Sequence, residues 1–214
     1  MAFEFIGFTY VSNFLTPEIE EVVFRVLDEA NRKFRDWGLP LRFLYLDKMT
    51  LEPGYLITVD TPGGRVKLYP LEVLIDFLDY RLKVEAEKRD GILMNKILGL
   101  VGFPLASRNR YFDFYESFLG FQAKRLERRI MVLSIKPFEG ENAEKRKIGD
   151  RLLKGILHEV GHAFGLDHCS SECVMNPPSS LSEWDERPPR YCNSCLRKLR
   201  LQVGDDILSW KFRL

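Results

Sequence analysis

The sequence predicts a mixed α/β (α+β) fold, and three observations carry that expectation. Strand-length runs rich in aromatic and β-branched residues occur at 3–11, 41–46 and 130–135. Around them lie stretches in which apolar residues recur every three and four positions, the period of a helix buried along one face. A length of 214 residues with 45% apolar composition suits one domain, or two tightly joined subdomains, with a proper core.

The elements follow in order. Phe3, Phe5, Phe8, Tyr10 and Val11 read as a buried first strand that Ser12 and Asn13 end. Thr16-Pro17-Glu18 is a helix start, with Thr16 as cap and proline in the first turn. Ile19, Val22, Val23, Val26, Leu27 and Ala30 continue that helix to about Asp36, before Gly38 and Pro40. Residues 41–46 form a second strand and 55–59 a short third, with Thr61-Pro-Gly-Gly64 as a turn. A striped, charged stretch over 71–88 reads as a second helix with a solvated outer face. Residues 130–135 are a continuous apolar run and so a central strand, and 118–123 an edge strand beside it. The aromatic-rich stretch 111–121 is read either as part of a peptide-receiving edge or as a hairpin packing on the core. The basic run 124–129 is interrupted by Glu127 and has no interleaved aromatic, which favours a solvated loop over a nucleic-acid contact. Residues 137–147 read as a surface connection and 148–164 as a helix with an apolar back.

Composition excludes several classes. With 32 basic against 31 acidic residues the net charge is +1, so no global field recruits nucleic acid or an anionic membrane. The start of the chain has no basic leader, and the longest near-apolar stretch, 97–106, is about half a membrane span. The expected protein is soluble, cytoplasmic and monomeric.

All three histidines fall in the eleven residues His158-Glu-Val-Gly-His162-Ala-Phe-Gly165-Leu-Asp-His168. His158 and His162 are four apart and share one helix face, so both imidazoles can reach one cation. Glu159 can stand beside that ion without binding it, placed to take a proton from water. A helix continued to His168 would carry it away from the ion; Gly165, which accepts positive φ, lets the chain turn back so that His168 supplies a third ligand. Three histidines placed at random would show this spacing roughly once in 8,000 arrangements. Three neutral ligands leave one position open, as in a catalytic rather than a structural zinc.

The four cysteines are Cys169, Cys173, Cys192 and Cys195. In a reducing compartment four thiols in two close pairs favour a structural zinc, since four thiolates satisfy a tetrahedral ion. Cys192 and Cys195 also have the spacing of a redox pair, but the strand that precedes a thioredoxin motif is missing. The ion would tie the segment after His168 to a last helix over 196–203.

His158 to His168 reads H-E-x-x-H-x-x-G-x-x-H, the metzincin form of the zinc-metallopeptidase signature. Together with the cysteines and Cys173-Val-Met175 it resembles the archaemetzincin family, densely over 148–199. One departure is visible: three residues separate the first two cysteines, where the family usually has four. The resemblance implies a metzincin-like fold with a mixed twisted sheet, an antiparallel edge strand along the cleft, an active-site helix and a small zinc-stapled C-terminal part. It divides the chain into an upper subdomain, 1–168, and a lower one, 169–214. It also implies two zinc ions per chain, a methionine turn at Met175 beneath the histidines, and hydrolysis of extended peptides with Glu159 as general base. The competing reading is a zinc-stabilised peptide- or protein-binding module with an occluded three-histidine site. Tyr191 is expected to pack rather than to steady an oxyanion, and Asp167 to end the helix or support a ligand. Arg187, Arg190, Arg197, Lys198 and Arg200 make the C-terminal region basic, to balance the four thiolates or to meet a partner.

Overall fold

The computed structural model describes residues 3–61, 64–108, 120–139 and 143–212. The chain enters as strand β1 (Glu4–Tyr10), passes through helix α1 (Pro17–Asp36) and returns as β2 (Leu41–Tyr45), parallel to β1. Thr16 is the N-cap of α1, yet its side chain makes no capping bond; Pro17, with Glu18 and Glu20 in the first turn, suits the start instead. A single 3-10 turn at Pro53–Tyr55 precedes an antiparallel hairpin of β3 (Ile57–Thr61) and β4 (Gly64–Leu68). Helix α2 (Leu71–Glu87) leads to β5 (Leu93–Val101). A second hairpin, β6 (Phe121–Arg125) and β7 (Arg128–Ser134), is followed by the short α3 (Lys136–Glu139) and the long α4 (Lys145–Ala163). The short α5 (Leu181–Glu186) and the helix α6 (Asn193–Lys211) complete the described chain.

Among the described residues the main sheet has five strands in the order β2-β1-β5-β7-β6. The first four are parallel, and β6 runs antiparallel to β7 at the edge. Helices cover both faces. Ile6, Phe8, Leu98, Leu100, Met131 and Leu133 point into a core shared with α1, α4 and α6. Ile97, Val101, Ile130 and Val132 point the other way, into a core shared with α2. Burial on both faces is why the inner strand β7 reads as an unbroken apolar run from Ile130 to Leu133.

Strand β5 is less legible, because Asn95 and Lys96 split its apolar residues. The run 97–106 contains most of its apolar residues, but without alternation and with Gly99 and Gly102 inside it no strand was expected there. Strand β4 also escaped, because Gly64, Arg65 and Lys67 are exposed and leave little apolar signal. The basic run 124–129 is not a loop: Lys124, Arg125, Arg128 and Arg129 lie on the paired ends of β6 and β7, leaving only Leu126 and Glu127 as the turn. Arg128 grips Asp79 of α2 through two bonds of 2.6 and 2.9 Å, so part of that charge is a tether across the sheet. The stretch 137–147 is likewise not all surface connection, since Phe138 of α3 is fully buried and α4 begins at Lys145. The last helix is longer than 196–203 at both ends. Most of the aromatic stretch 111–121 lies outside the described residues. No described helix is long and apolar enough to cross a membrane.

Buried cations, Lys96 and Arg151 among them, lock the C-terminal segment to this frame. Lys96 of β5 bonds Glu4 of β1 and, at 2.8 Å, Asp206 of α6. Arg151 of α4 is 5% exposed and takes both Asp185 oxygens, at 2.6 and 2.8 Å, while donating to the Phe138 carbonyl at 2.8 Å. Asp185→Ala would strand a guanidinium in the core, at a cost of about 3–5 kcal/mol. The Arg151 bonds, then Lys147, hold the Asp185 carboxyl down at about 2, below its ordinary 3.8. Its contribution is therefore complete above about 3.8 and lost as pH falls through about 2. Thermal melts of the two proteins should differ widely near neutral pH and converge in strong acid.

Candidate metal and catalytic centre

The last turns of α4 carry His158, Glu159 and His162. One helical turn separates the two histidines, and their ring centroids stand 4.5 Å apart. The helix then stops: Gly165 takes φ 78°, its N–H donates to the His162 carbonyl at 2.9 Å, and Leu166 N–H reaches back to the Gly161 carbonyl at 3.0 Å. Beyond that left-handed residue the chain reverses. His168 comes back with its ring 5.3 Å from His158 and 4.8 Å from His162. The three candidate ligand nitrogens all lie within 4.8 Å of one another.

Hydrogen bonds decide which nitrogens face inward. His158 Nδ1 lies 2.6 Å from the Val174 carbonyl and His162 Nδ1 lies 2.7 Å from the Leu166 carbonyl. A carbonyl only accepts, so each Nδ1 carries the proton and each Nε2 keeps its lone pair. Those two Nε2 atoms stand 2.9 Å apart. Two lone pairs at that range repel unless a cation lies between them. Burial, then the neighbouring His162, holds His158 well below its ordinary range, at about 3, and burial lowers His162 as well. Neutral, oriented imidazoles are what a zinc ion binds, and a tetrahedron of 2.0–2.1 Å bonds has nitrogens roughly 3.3 Å apart. The residues fit that ion.

Glu159 is 3% exposed and faces the edge strand. Its Oε2 accepts from Gln122 Nε2 at 3.0 Å, and the same Nε2 donates to the Glu159 carbonyl at 2.7 Å. Burial pushes the carboxyl up to about 8, against the Gln122 bond, which lowers it. Gln122 was not among the residues expected here; its only sequence signal was its place on the expected edge strand.

The four cysteine sulfurs also lie within 4.8 Å of one another, and a tetrahedral zinc with 2.3 Å bonds needs them roughly 3.8 Å apart. Cys173 Sγ accepts from the N–H groups of Cys192 at 3.2 Å and Met175 at 3.5 Å. Cys192 caps α6, its sulfur accepting from Cys195 N–H at 3.5 Å. This donor set is the closed kind that suits a structural ion.

Met175 is fully buried against the turn of α4 that separates the two histidines. A methyl group at Gly161 would sit 2.3 Å from its sulfur. Gly161→Ala should therefore displace either Met175 or the helix, costing about 1–3 kcal/mol as overpacking and weakening zinc at the histidines. A competition titration against a chelator, read beside the melting temperature, checks both. Tyr191 packs in the core, its hydroxyl donating to the Leu157 carbonyl, and Asp167 is exposed. Of the basic residues, Arg187 is buried on the Asn176 carbonyl and Arg200 bonds the Trp37 carbonyl, both structural, while Arg197 and Lys198 are exposed. Trp184, also unforeseen, is fully buried with its ring centroid 6.3 Å from that of His158.

Residues 5–201 match the model of Peptidase family M54. An archaemetzincin of Aeropyrum pernix is 54% identical over 56 residues, 26% of this chain and 31% of that protein. One from Archaeoglobus fulgidus is 33% identical over 103 residues, 48% of this chain and 59% of that protein. The chain thus spans less than two thirds of the length of these curated relatives. The crystal structure of archaemetzincin from Methanopyrus kandleri superposes with a TM-score of 0.63 at 21% identity, covering 94% of this chain and 96% of that one. That likeness is one of fold.

Proposed function

Because the chain belongs to peptidase family M54, we propose that it is a zinc-dependent peptidase, with His158, His162 and His168 holding a catalytic ion and Glu159 as general base. The observation that carries this reading is the convergence of three imidazoles, two of them fixed as neutral donors, beside a buried carboxylate. Zinc bound there would polarise a carbonyl and make water acidic near neutral pH. Glu159 takes the proton of the attacking water on a carboxylate oxygen and returns it to the leaving amine nitrogen, a double task that suits a carboxyl raised toward neutrality. Cys169, Cys173, Cys192 and Cys195 hold a second, structural ion, while Met175 and the bend at Gly165 support the histidines from below and behind.

The substrate is an extended peptide. Strand β6 lies at the edge of the sheet order and offers backbone groups to an added strand. The cleft divides residues 1–168 from 169–214. The chain acts as a cytoplasmic monomer on peptides, without nucleic acid or membrane as partner. The binding-module reading has no comparable support.

Two measurements test the proposal together. Metal analysis should return two zinc ions per chain, and a peptide library should be cleaved in a way that a chelator stops and zinc restores. Cleavage indifferent to chelator, or a fully loaded protein that turns over no peptide, would overturn it.

A further inference from the structure

We infer that Gln122 is a positioning residue for Glu159, setting the carboxylate from the strand that receives the peptide. The inference rests on the reading of Glu159 as the proton-transferring group. Alternation along β6 places Gln122 for this. Phe121 and Ala123 pack toward the α2 core, opposite Val132 and Ile130, whereas Gln122 pairs with Met131 and faces α4. There its amide meets two acceptors on one residue, the Glu159 carbonyl at 2.7 Å and Oε2 at 3.0 Å. Both are acceptors, so the NH2 group must face them and the amide orientation is settled. The other oxygen, Oε1, lies beside Gly120, 3.1 Å from where a Cβ would stand. Two residues of one edge segment therefore bracket both oxygens of the carboxylate.

The consequence is a shared register. A peptide that pairs with β6 is placed by the backbone of the same strand whose side chain places the base, so the scissile bond and Glu159 are referred to one rigid element. Glutamate at position 122 keeps the size but replaces the donor with a second carboxylate; alanine removes the contact.

Gln122→Glu and Gln122→Ala are made in the full chain. Both should lower kcat by about 10- to 100-fold, with KM changed by less than about threefold, since the peptide is held by backbone bonds. Zinc content should stay at two per chain, and both variants, though lower in melting temperature because the buried carboxyl loses its donor, should remain folded at the assay temperature. Unchanged kcat in Gln122→Glu, or a loss that only follows lost zinc or lost stability, would overturn the inference. A second readout needs no turnover. The side-chain amide resonance of Gln122 should shift in Glu159→Ala while the backbone amides of β7 stay in place, and an unmoved resonance would refute the contact. A zinc-loaded wild-type chain that cleaves nothing would sink the peptidase reading, with the amide shift still deciding the contact.

Discussion

Glu159→Ala is expected to lose peptide hydrolysis by at least about 10²- to 10⁴-fold, the range a general base supplies, while retaining both zinc ions. The two effects separate because Glu159 does not orient the ligands. The Val174 and Leu166 carbonyls set the tautomers of His158 and His162, and the bend at Gly165 returns His168. None of these depends on the carboxylate. Stability should hold or rise, since a carboxyl at 3% exposure with one side-chain hydrogen bond is costly to bury. Replacing His162 has the opposite signature: the ion leaves along with the activity. Steady-state kinetics beside metal analysis distinguish the two, and a Glu159→Ala protein that cleaves at the wild-type rate would end the mechanism.

Cys195→Ser should remove one zinc ion and weaken the hold on the other. Structural zinc contributes about 10–16 kcal/mol in small metal-folded peptides, comparable to the stability of a whole domain. The damage travels because Cys173, Val174 and Met175 are consecutive. Cys173 belongs to the four-sulfur cluster, the Val174 carbonyl holds His158 Nδ1 at 2.6 Å, and Met175 packs on Gly161 between the two helix histidines. Further bonds from Val174 N–H to the Arg190 carbonyl and from Cys169 N–H to the Met175 carbonyl, at 2.9 and 3.0 Å, pin Val174 and Met175. Loosening the sulfur cluster therefore frees the carbonyl that orients the His158 ring. Metal titration of the variant should give a single site of reduced affinity. A single remaining site of unchanged affinity would show that the clusters are independent.

Much of this centre was legible in the chain itself. Local geometry explains why: His158, Glu159 and His162 are within four residues on a helix, and Gly165 with His168 completes a turn, so a period of 3.6 and one left-handed residue place them. Helix α1 was equally readable, from Pro17 to the stop before Gly38, because its stripe faces a single core. Strand β5 was not, since Asn95, Lys96 and Gly99 interrupt the continuous apolar run by which the equally buried β7 is read. Strand β4 was lost because it has too little apolar surface.

By itself, then, the sequence determined which histidines and cysteines come together, the candidate base beside them and the mixed class of the fold, all properties set by residue type and short-range spacing. Only the tertiary structure decided what surrounds them: the Val174 carbonyl on His158, Gln122 on Glu159, Met175 against Gly161 and Asp185 under Arg151. Each of these joins residues 14 to 37 positions apart. No local period records such pairings; they exist because the sheet, α4 and the four-cysteine loop close on one core.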